Sequence, residues 1–493
     1  MNSILRKLAG ASCLLAFAAG AQSPVVIKID DQAHGRKIPS DFSGLSFESS
    51  NLLPGKDGKY LFSAENKPLI NLFRTIGIKD LRVGGGTADG PEFQIPGPKD
   101  IDHLFEFARA AGINIIYTVR LLNGNVTGDA AIANYIQQHY ASELCCFQIG
   151  NEPDWHSFHT APGHPRDPRI VETMPGVPGS AYPSYLATWK DFAEAIRASV
   201  PNAQIVGPDT GSNYPVPGTK DTDYKNESWT QRFAEDEKGS PAVPFVTQHD
   251  YVGESAAGVG VQQAIDAMLS PAWVTTNYRL LYDHVLAPVQ VTGLSYRMTE
   301  CNDYTGGVDG ASNAFASALW ALDYMHWHAS HGAVGINFHN KSWIYTDTIY
   351  LDKKTGEFRI NPKAYAIKVF DLGSHGNVAP LTLSNPDALN LTAYAVHGEK
   401  TLYVTLINKE HGRNARAAAV TILSPGAARD ARIIYMTAPN EDPAARTGIT
   451  LGGASIVDGA WEGKWTSLKS EKAGLSLVNV PAASAAVVKF TLR

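Results

Sequence analysis

The sequence predicts a (β/α)8 barrel followed by an antiparallel β-sandwich that also takes in an N-terminal strand. Three observations carry this expectation. Between about residues 43 and 370, eight short apolar runs alternate with amphipathic helical segments, the pattern of a closed parallel barrel. From about residue 378 the helical pattern stops, and short strands with polar turns take over, as in a sandwich. Two of the eight apolar runs end in a glutamate, Glu152 and Glu300. Strand tips of this kind are where such barrels carry their chemistry.

In chain order, Arg6 and Lys7 form a basic start, 8–19 is a short apolar run, and Ala19-Gly20-Ala21 offers small residues for cleavage before Gln22. That is an export signal, too short for a permanent membrane anchor. The mature protein is therefore expected to be secreted or periplasmic, with no membrane association. Residues 25–29 are strand-like and are expected to pair with the sandwich. The barrel strands are expected at 42–47, 81–83, 113–119, 145–149, 204–206, 244–248, 294–298 and 334–338.

Helical spacing recurs between them. Leu69, Leu72, Phe73 and Ile76 form one stripe. Leu104, Phe105 and Ala108 form another, with Asp100 or Asp102 placed to cap its start. Leu186, Trp189, Phe192 and Ile196 form a third, and Phe315, Leu319 and Trp320 a fourth. Gly77, Gly112 and Gly332 follow helix ends, where a left-handed residue is needed. Sandwich strands are expected at 391–396, 401–407, 417–423, 431–436 and 486–492. The division that results is a signal at 1–21, an N-terminal strand within 22–40, the barrel at 41–375 and the sandwich at 376–493.

At 493 residues two domains are the natural expectation. A net charge of −6 argues against a general nucleic-acid binder. Three cysteines remain after signal cleavage, Cys145, Cys146 and Cys301. An odd number on barrel strands is not a disulfide framework. Cys301 adjoins Glu300, but neighbouring strand residues point to opposite faces, so one of the two must leave the barrel interior.

The two glutamates close comparable runs. One reads Cys145-Cys146-Phe147-Gln148-Ile149-Gly150-Asn151-Glu152-Pro153, ending the fourth strand. The other reads Leu294-Ser295-Tyr296-Arg297-Met298-Thr299-Glu300, ending the seventh. Two carboxylates facing one another across a sugar ring are the machinery of glycoside hydrolysis. Asn151 is placed to hydrogen-bond a hydroxyl beside the reacting carbon.

Asn151-Glu152-Pro153 on strand four, with a glutamate on strand seven, resembles the large clan of retaining glycosidases built on a (β/α)8 barrel. The resemblance spans essentially the whole mature chain. It implies that Glu152 is the acid/base and Glu300 the nucleophile. It also implies that Tyr251, ending His249-Asp250-Tyr251 on strand six, hydrogen-bonds the nucleophile. Finer motifs are Phe42-Ser43-Gly44-Leu45-Ser46-Phe47-Glu48, Leu81-Arg82-Val83-Gly84-Gly85-Gly86-Thr87, and Glu300 followed by Tyr304, Gly306 and Gly307. These resemble glycoside hydrolase family 79, the β-glucuronidase and heparanase family. Tyr304, Gly306 and Gly307 would then bind a uronate carboxylate, partly through backbone N–H groups. A second tyrosine after strand eight, Tyr345 or Tyr350, would assist. The implied partner is a carbohydrate bearing β-glucuronic acid, with no cofactor and no metal.

Some readings stay open on the sequence. Arg82 is either a substrate contact or an ion pair in the barrel mouth. Glu48 either touches the distal edge of the sugar or makes a rim hydrogen bond. Gly84-Gly85-Gly86 lacks the Lys-Ser/Thr of a phosphate loop, and reads as a turn letting substrate approach backbone. His156, His159 and His164 fit no strong zinc spacing and read as lining for the leaving group. The alternatives to a β-glucuronidase are a glycosidase for neutral sugars, an endo-acting heparanase-like enzyme, and a non-catalytic carbohydrate-binding protein. Oligomeric state is not legible.

Overall fold

The computed structural model of the protein describes residues 23–30, 35–122, 124–155, 182–211, 227–341, 345–423, 430–472 and 474–492. The expected export signal and His156, His159 and His164 lie outside these residues. Eight parallel strands form the barrel: Ser43–Glu48, Asp80–Gly84, Asn114–Val119, Leu144–Ile149, a fifth in two pieces (Ile205–Val206 and Pro208–Thr210), Phe245–Tyr251, Ser295–Asn302 and Ala333–Asn340. Each pairs with its sequence neighbours, and the eighth returns to the first. The fifth strand closes the ring in relay. Ile205–Val206 pairs with the fourth strand, and Pro208–Thr210 with the sixth.

The helices form where the apolar stripes place them, at Lys67–Ile76, Pro98–Ala111, Tyr182–Ser199 and Phe315–Ser330. Gly77 and Gly112 end the first two with φ of 91° and 75°, a region that costs glycine little. One capping expectation needs correction. Gly97 is the N-cap of Pro98–Ala111, and Asp100 reaches back from the third helical position to accept its N–H at 2.8 Å. Asp102 instead accepts the hydroxyls of Tyr135 and Tyr140.

Two sheets make the sandwich. Thr401–Asn408 lies between Leu391–His397 and Ser484–Thr491, and Asp430–Thr437 follows, all antiparallel. In the facing sheet the N-terminal strand Val25–Ile29 runs antiparallel to Leu381–Ser384 and parallel to Ala418–Leu423. Among the described residues, the sandwich is thus antiparallel except for this one pairing. Val25 and Ile27 are fully buried among Leu402, Val420 and Phe490. Their alternation with exposed positions is what made the strand readable.

The barrel and sandwich meet along Phe315–Ser330. The first two N–H groups of that helix donate to the carbonyls of Ala445 and Pro443, so the sandwich satisfies donors the helix cannot. Asp323 on the same helix takes Lys409 Nζ at 2.7 Å and the hydroxyls of Thr392 and Tyr394. Both members of the pair are 1% exposed. Removing one partner strands a buried charge. Lys409→Met is therefore expected to cost about 3 kcal/mol, read as a lower thermal midpoint with unchanged secondary-structure content. An unchanged midpoint would mean the pair does not hold the interface.

No helix among the described residues is long and apolar enough to cross a membrane.

Candidate active site

The site is built at the C-terminal ends of the barrel strands. The fourth strand ends at Ile149, and the chain then turns sharply. Gly150 has a φ of 80°, and a Cβ there would lie 2.8 Å from Leu121 Cβ. Glu152 itself has a φ of 45°, uncommon for a residue with a side chain and a mark of local strain. Its N–H donates to Asp209 O at 2.9 Å, and its carbonyl accepts from Trp155 N–H at 3.0 Å. Asn151 N–H donates to Asp89 Oδ2 at 2.8 Å.

In the seventh strand, Met298 lies opposite Gln248 while Glu300 lies opposite His249. Thr299 is thus an extra residue, a bulge that re-aims the strand end. Glu300 enters the barrel mouth. Cys301 is fully buried in the apolar core, its Sγ 3.6 Å from Asn337 O. Burial pushes its thiol pKa well up, so it is an inert core residue.

One oxygen of Glu152, one of Glu300 and a ring nitrogen of His249 lie within 4.8 Å of one another. Tyr251 donates to Glu300 Oε1 at 2.8 Å, and Arg82 Nη1 donates to Oε2 at 2.8 Å. Burial alone would raise the Glu300 pKa; His339, His249 and Arg82 together hold it below the ordinary glutamate value. Burial pushes the Tyr251 phenol up, so it remains a donor.

Arg82 takes one of the two roles the sequence left open. It is fully buried and cannot reach substrate. Its fork holds Glu300 with one nitrogen, and Asn151 Oδ1 and Asp209 Oδ2 with the other, at 2.7 and 2.6 Å. It is the ion pair of the barrel mouth. Asn151 thereby has its oxygen fixed, and among the described residues its amide nitrogen has no protein acceptor.

Asp209 and His249 were not singled out from the sequence. Asp209 Oδ2 also accepts Gln148 Nε2 at 2.6 Å and lies 3.0 Å from His249 Nε2, while Oδ1 accepts Thr299 Oγ1. The other ring nitrogen of His249 lies 3.0 Å from Glu152 Oε1. Burial would lower the His249 pKa, but Asp209 and Glu300 reverse this and push it up to about 10. One buried anion therefore supports two cations, and each cation holds one glutamate. A signal existed: Asp209 sits at the tip of strand five, and His249 is two residues before Tyr251, on the same face of strand six. Glu152, His249 and Glu300 could converge on a metal ion, but Arg82 and a protonated His249 already occupy the donor set.

Glu48 also departs from the sugar-contact reading. It is 3% exposed. Its oxygens take Lys341 Nζ at 2.5 Å and Thr87 N–H at 2.8 Å, with His339 Nε2 at 3.6 Å. Burial is overcome by His339 and Lys341, and its pKa falls far below the usual range. Gly84 and Gly85 make room for protein rather than substrate, whereas a Cβ at Gly86 would meet open space. A Cβ at Gly84 would lie 2.5 Å from the Arg82 guanidinium carbon, and one at Gly85 2.6 Å from the Glu48 carboxyl.

The expected carboxylate pocket is assembled in part. Gly306 and Gly307 have φ of 80° and 73°, which explains the residue type. Tyr345 N–H donates to Gly306 O at 3.4 Å, so the loops after strands seven and eight meet here. Lys363 Nζ ties them further, bonding Asn302 Oδ1 and Thr346 O. Tyr345 is 46% exposed beside this turn, whereas Tyr350 lines a separate cleft of about 1040 Å³ with Phe358 and Ile449. Tyr304 is buried against Trp273, its pKa pushed up to about 12 by burial and then Asp303. The N–H groups of Tyr304, Thr305 and Gly307 already donate to Asp303 Oδ1, Glu254 O and Tyr304 O. Among the described residues, Gly306 N–H is the amide of this turn with no protein acceptor.

No family model and no curated protein matches the sequence. Solved structures match the fold. A 4-O-α-L-rhamnosyl-β-D-glucuronidase from Fusarium oxysporum 12S, solved as a Rha-GlcA complex, aligns with a TM-score of 0.70 at 16% identity, over 95% of this chain and 100% of that one. A GH51 arabinofuranosidase from Xanthomonas axonopodis pv. citri reaches 0.64 at 14% identity, over 95% and 100%. A Paenibacillus polymyxa xyloglucanase from GH family 44 reaches 0.61 at 12% identity, over 96% and 100%. At these identities the likeness establishes a shared fold.

Proposed function

We propose that the protein is an exported, retaining β-glycosidase that releases β-linked glucuronic acid by double displacement. The observation that carries the reading is the approach of Glu152 and Glu300 within 4.8 Å. Retaining enzymes place their carboxyl groups roughly 5–5.5 Å apart, and inverting ones roughly 6.5–9.5 Å. The export signal supports the location, and the glycosidases that share the fold support the reaction class.

Glu300, ionised and fixed by Arg82 and Tyr251, would attack the anomeric carbon as the leaving oxygen takes a proton from Glu152. The ester that forms is then hydrolysed by water, with Glu152 as the base. His249, charged and donating to Glu152, would steady the carboxylate left when that proton departs. Arg82 keeps Asp209 as partner when the Glu300 charge is consumed. Asn151 offers its amide nitrogen to the hydroxyl next to the reacting carbon.

Gly306 N–H, Tyr304 and Tyr345 are the proposed contacts for the C6 carboxylate. One observation favours the runner-up, a glycosidase for neutral sugars: three of the four amides in the 304–307 turn already have acceptors. Aryl substrates separate the two. A site built to hydrogen-bond a group strongly rejects the analogue lacking it. We expect kcat/KM for aryl β-glucuronides to exceed that for aryl β-glucosides by about 10²-fold or more. Tyr345→Phe should narrow the gap by lowering glucuronide turnover more than glucoside turnover. Equal turnover of both sugars by the wild type would leave only a retaining glycosidase. An α-glucuronate as first-formed product, seen by NMR, would remove that as well.

A further inference from the structure

Glu152 must face the linking oxygen from a backbone that is itself strained. Its φ of 45° lies in the left-handed region, two residues after Gly150 with a φ of 80°. Such a conformation persists only where the surroundings hold it on several sides. The Glu152 N–H is held by Asp209 O. A second hold acts one residue earlier, where the Asn151 N–H donates to Asp89 Oδ2 at 2.8 Å.

Asp89 closes the helical turn Gly86–Asp89 after the second strand and is 2% exposed. Its other oxygen accepts the N–H groups of Leu121 and Leu122, just past the third strand, at 2.7 and 3.0 Å. One carboxylate therefore joins the tips of strands two, three and four, across 32, 33 and 62 residues of chain. Hydrogen bonds to an ionised acceptor are roughly twice as strong as neutral ones. Gly150 permits the close approach: a Cβ there would lie 2.8 Å from Leu121 Cβ and 3.3 Å from Asp89 Oδ2. Asn151 is thus gripped twice, by Arg82 at its side-chain oxygen and by Asp89 at its main chain. The next residue is Glu152.

We propose that Asp89 is the positioning residue of the acid loop. It is too buried to touch substrate, and it acts by holding Asn151 and Glu152 where the acid proton meets the linking oxygen. The proposal rests on the reading of Glu152 as the acid. Asp89→Asn breaks the hold for a simple reason. A carboxylate accepts at both oxygens, whereas an amide accepts at one and donates at the other end. Whichever way the amide turns, its NH2 faces a backbone N–H: that of Asn151, or those of Leu121 and Leu122. Either choice parts the acid loop from the loop after strand three.

The test uses leaving groups that do and do not need a proton. Wild type, Asp89→Asn, Gly150→Ala and Glu152→Ala are assayed on phenyl and dinitrophenyl β-glucuronides and on the matching β-glucosides. Asp89→Asn is expected to lose about 30-fold in kcat/KM on the phenyl substrate, part of the roughly 10²–10⁴-fold that a positioned acid contributes. Dinitrophenolate departs without a proton, so that substrate should lose at least about tenfold less. Glu152→Ala should show the same selectivity more strongly. Gly150→Ala, which pushes the acid loop off Leu121 and Asp89 from the other side, should repeat the pattern, and it decides the matter if Asp89→Asn does not fold. Equal loss on both leaving groups would make Asp89 a structural support only, and no loss on the phenyl substrate would end the proposal. If Glu152→Ala itself loses equally on both, the acid reading has failed and the positioning role goes with it. If the wild type turns over glucosides but not glucuronides, the glucuronate reading has failed, and the glucoside pair decides Asp89. If it turns over neither, the hydrolase reading and the positioning role fall together.

Discussion

Glu300→Gln is expected to lower kcat by at least about 10⁴-fold, as removal of a nucleophile does elsewhere. The amide has nearly the same shape. Its oxygen can still accept from Arg82, so the fold should persist. What it lacks is the charge and lone pair that would form the ester. The wild-type carboxylate is held ionised: burial raises its pKa, but His339, His249 and Arg82 bring it below 4.5. A depressed carboxylate contributes stability above its unfolded pKa and loses it as pH falls through the folded value. The acid limb of wild-type kcat/KM should therefore lie below the range of an ordinary glutamate. The variant should lack the acid destabilisation due to this group. Turnover of the variant within about tenfold of wild type, on any glycoside, would remove Glu300 from the nucleophile role.

Asp209→Asn should produce the second-largest effect, although Asp209 is fully buried and has no route to a substrate. Its carboxylate is the counter-ion shared by Arg82 and His249. Without that charge, burial disfavours the His249 cation, and its pKa should fall. Glu152 then loses a charged donor near pH 7. Displacement of a reacting group by a fraction of an ångström to one ångström costs about 10²-fold, and kcat/KM should fall by about that amount. Loss of a buried pairing partner should cost about 3–5 kcal/mol.

The pH dependence separates this from simple destabilisation. His249 has a folded pKa raised to about 10 from 6.5. Its contribution to stability is fully present below pH 6.5 and is lost as pH rises through about 10. Thermal melts of the wild type at pH 6 and 10 should show that loss, and Asp209→Asn should flatten it. Its basic limb in kcat/KM should also move to lower pH. Superimposable pH profiles for wild type and variant would show that Asp209 does not govern His249.

The barrel was legible because a parallel strand buried on both faces is a run of apolar residues, and all eight runs became strands. The runs stop short of the strand ends where chemistry begins. The apolar run of the sixth strand ends at Gln248 while the strand continues to Tyr251; that of the seventh ends at Met298 while the strand continues to Asn302. His249, Asp250, Glu300 and Asn302 are polar yet buried, so a rule that equates strand with apolar run loses them. The same two segments hold much of the site. Asp209 was missed for a related reason, since its strand breaks into two short pieces.

From the sequence alone came the barrel and sandwich, the N-terminal strand's partner, and the two glutamates at strand tips. These follow from local periodicity and from the rule that strand ends carry the site, neither of which needs a distant partner. The tertiary structure decided what surrounds the glutamates. Arg82 meets Asp209 and Glu300 across 127 and 218 residues of chain, and no local pattern records such a meeting. It also decided that Gly84 and Gly85 shelter side chains, that Glu48 belongs to Lys341, and that one amide of the 304–307 turn lacks a protein acceptor among the described residues. Each is a question of which buried polar group satisfies which other. That is settled only when the strands close into a ring and every charge inside must find its partner.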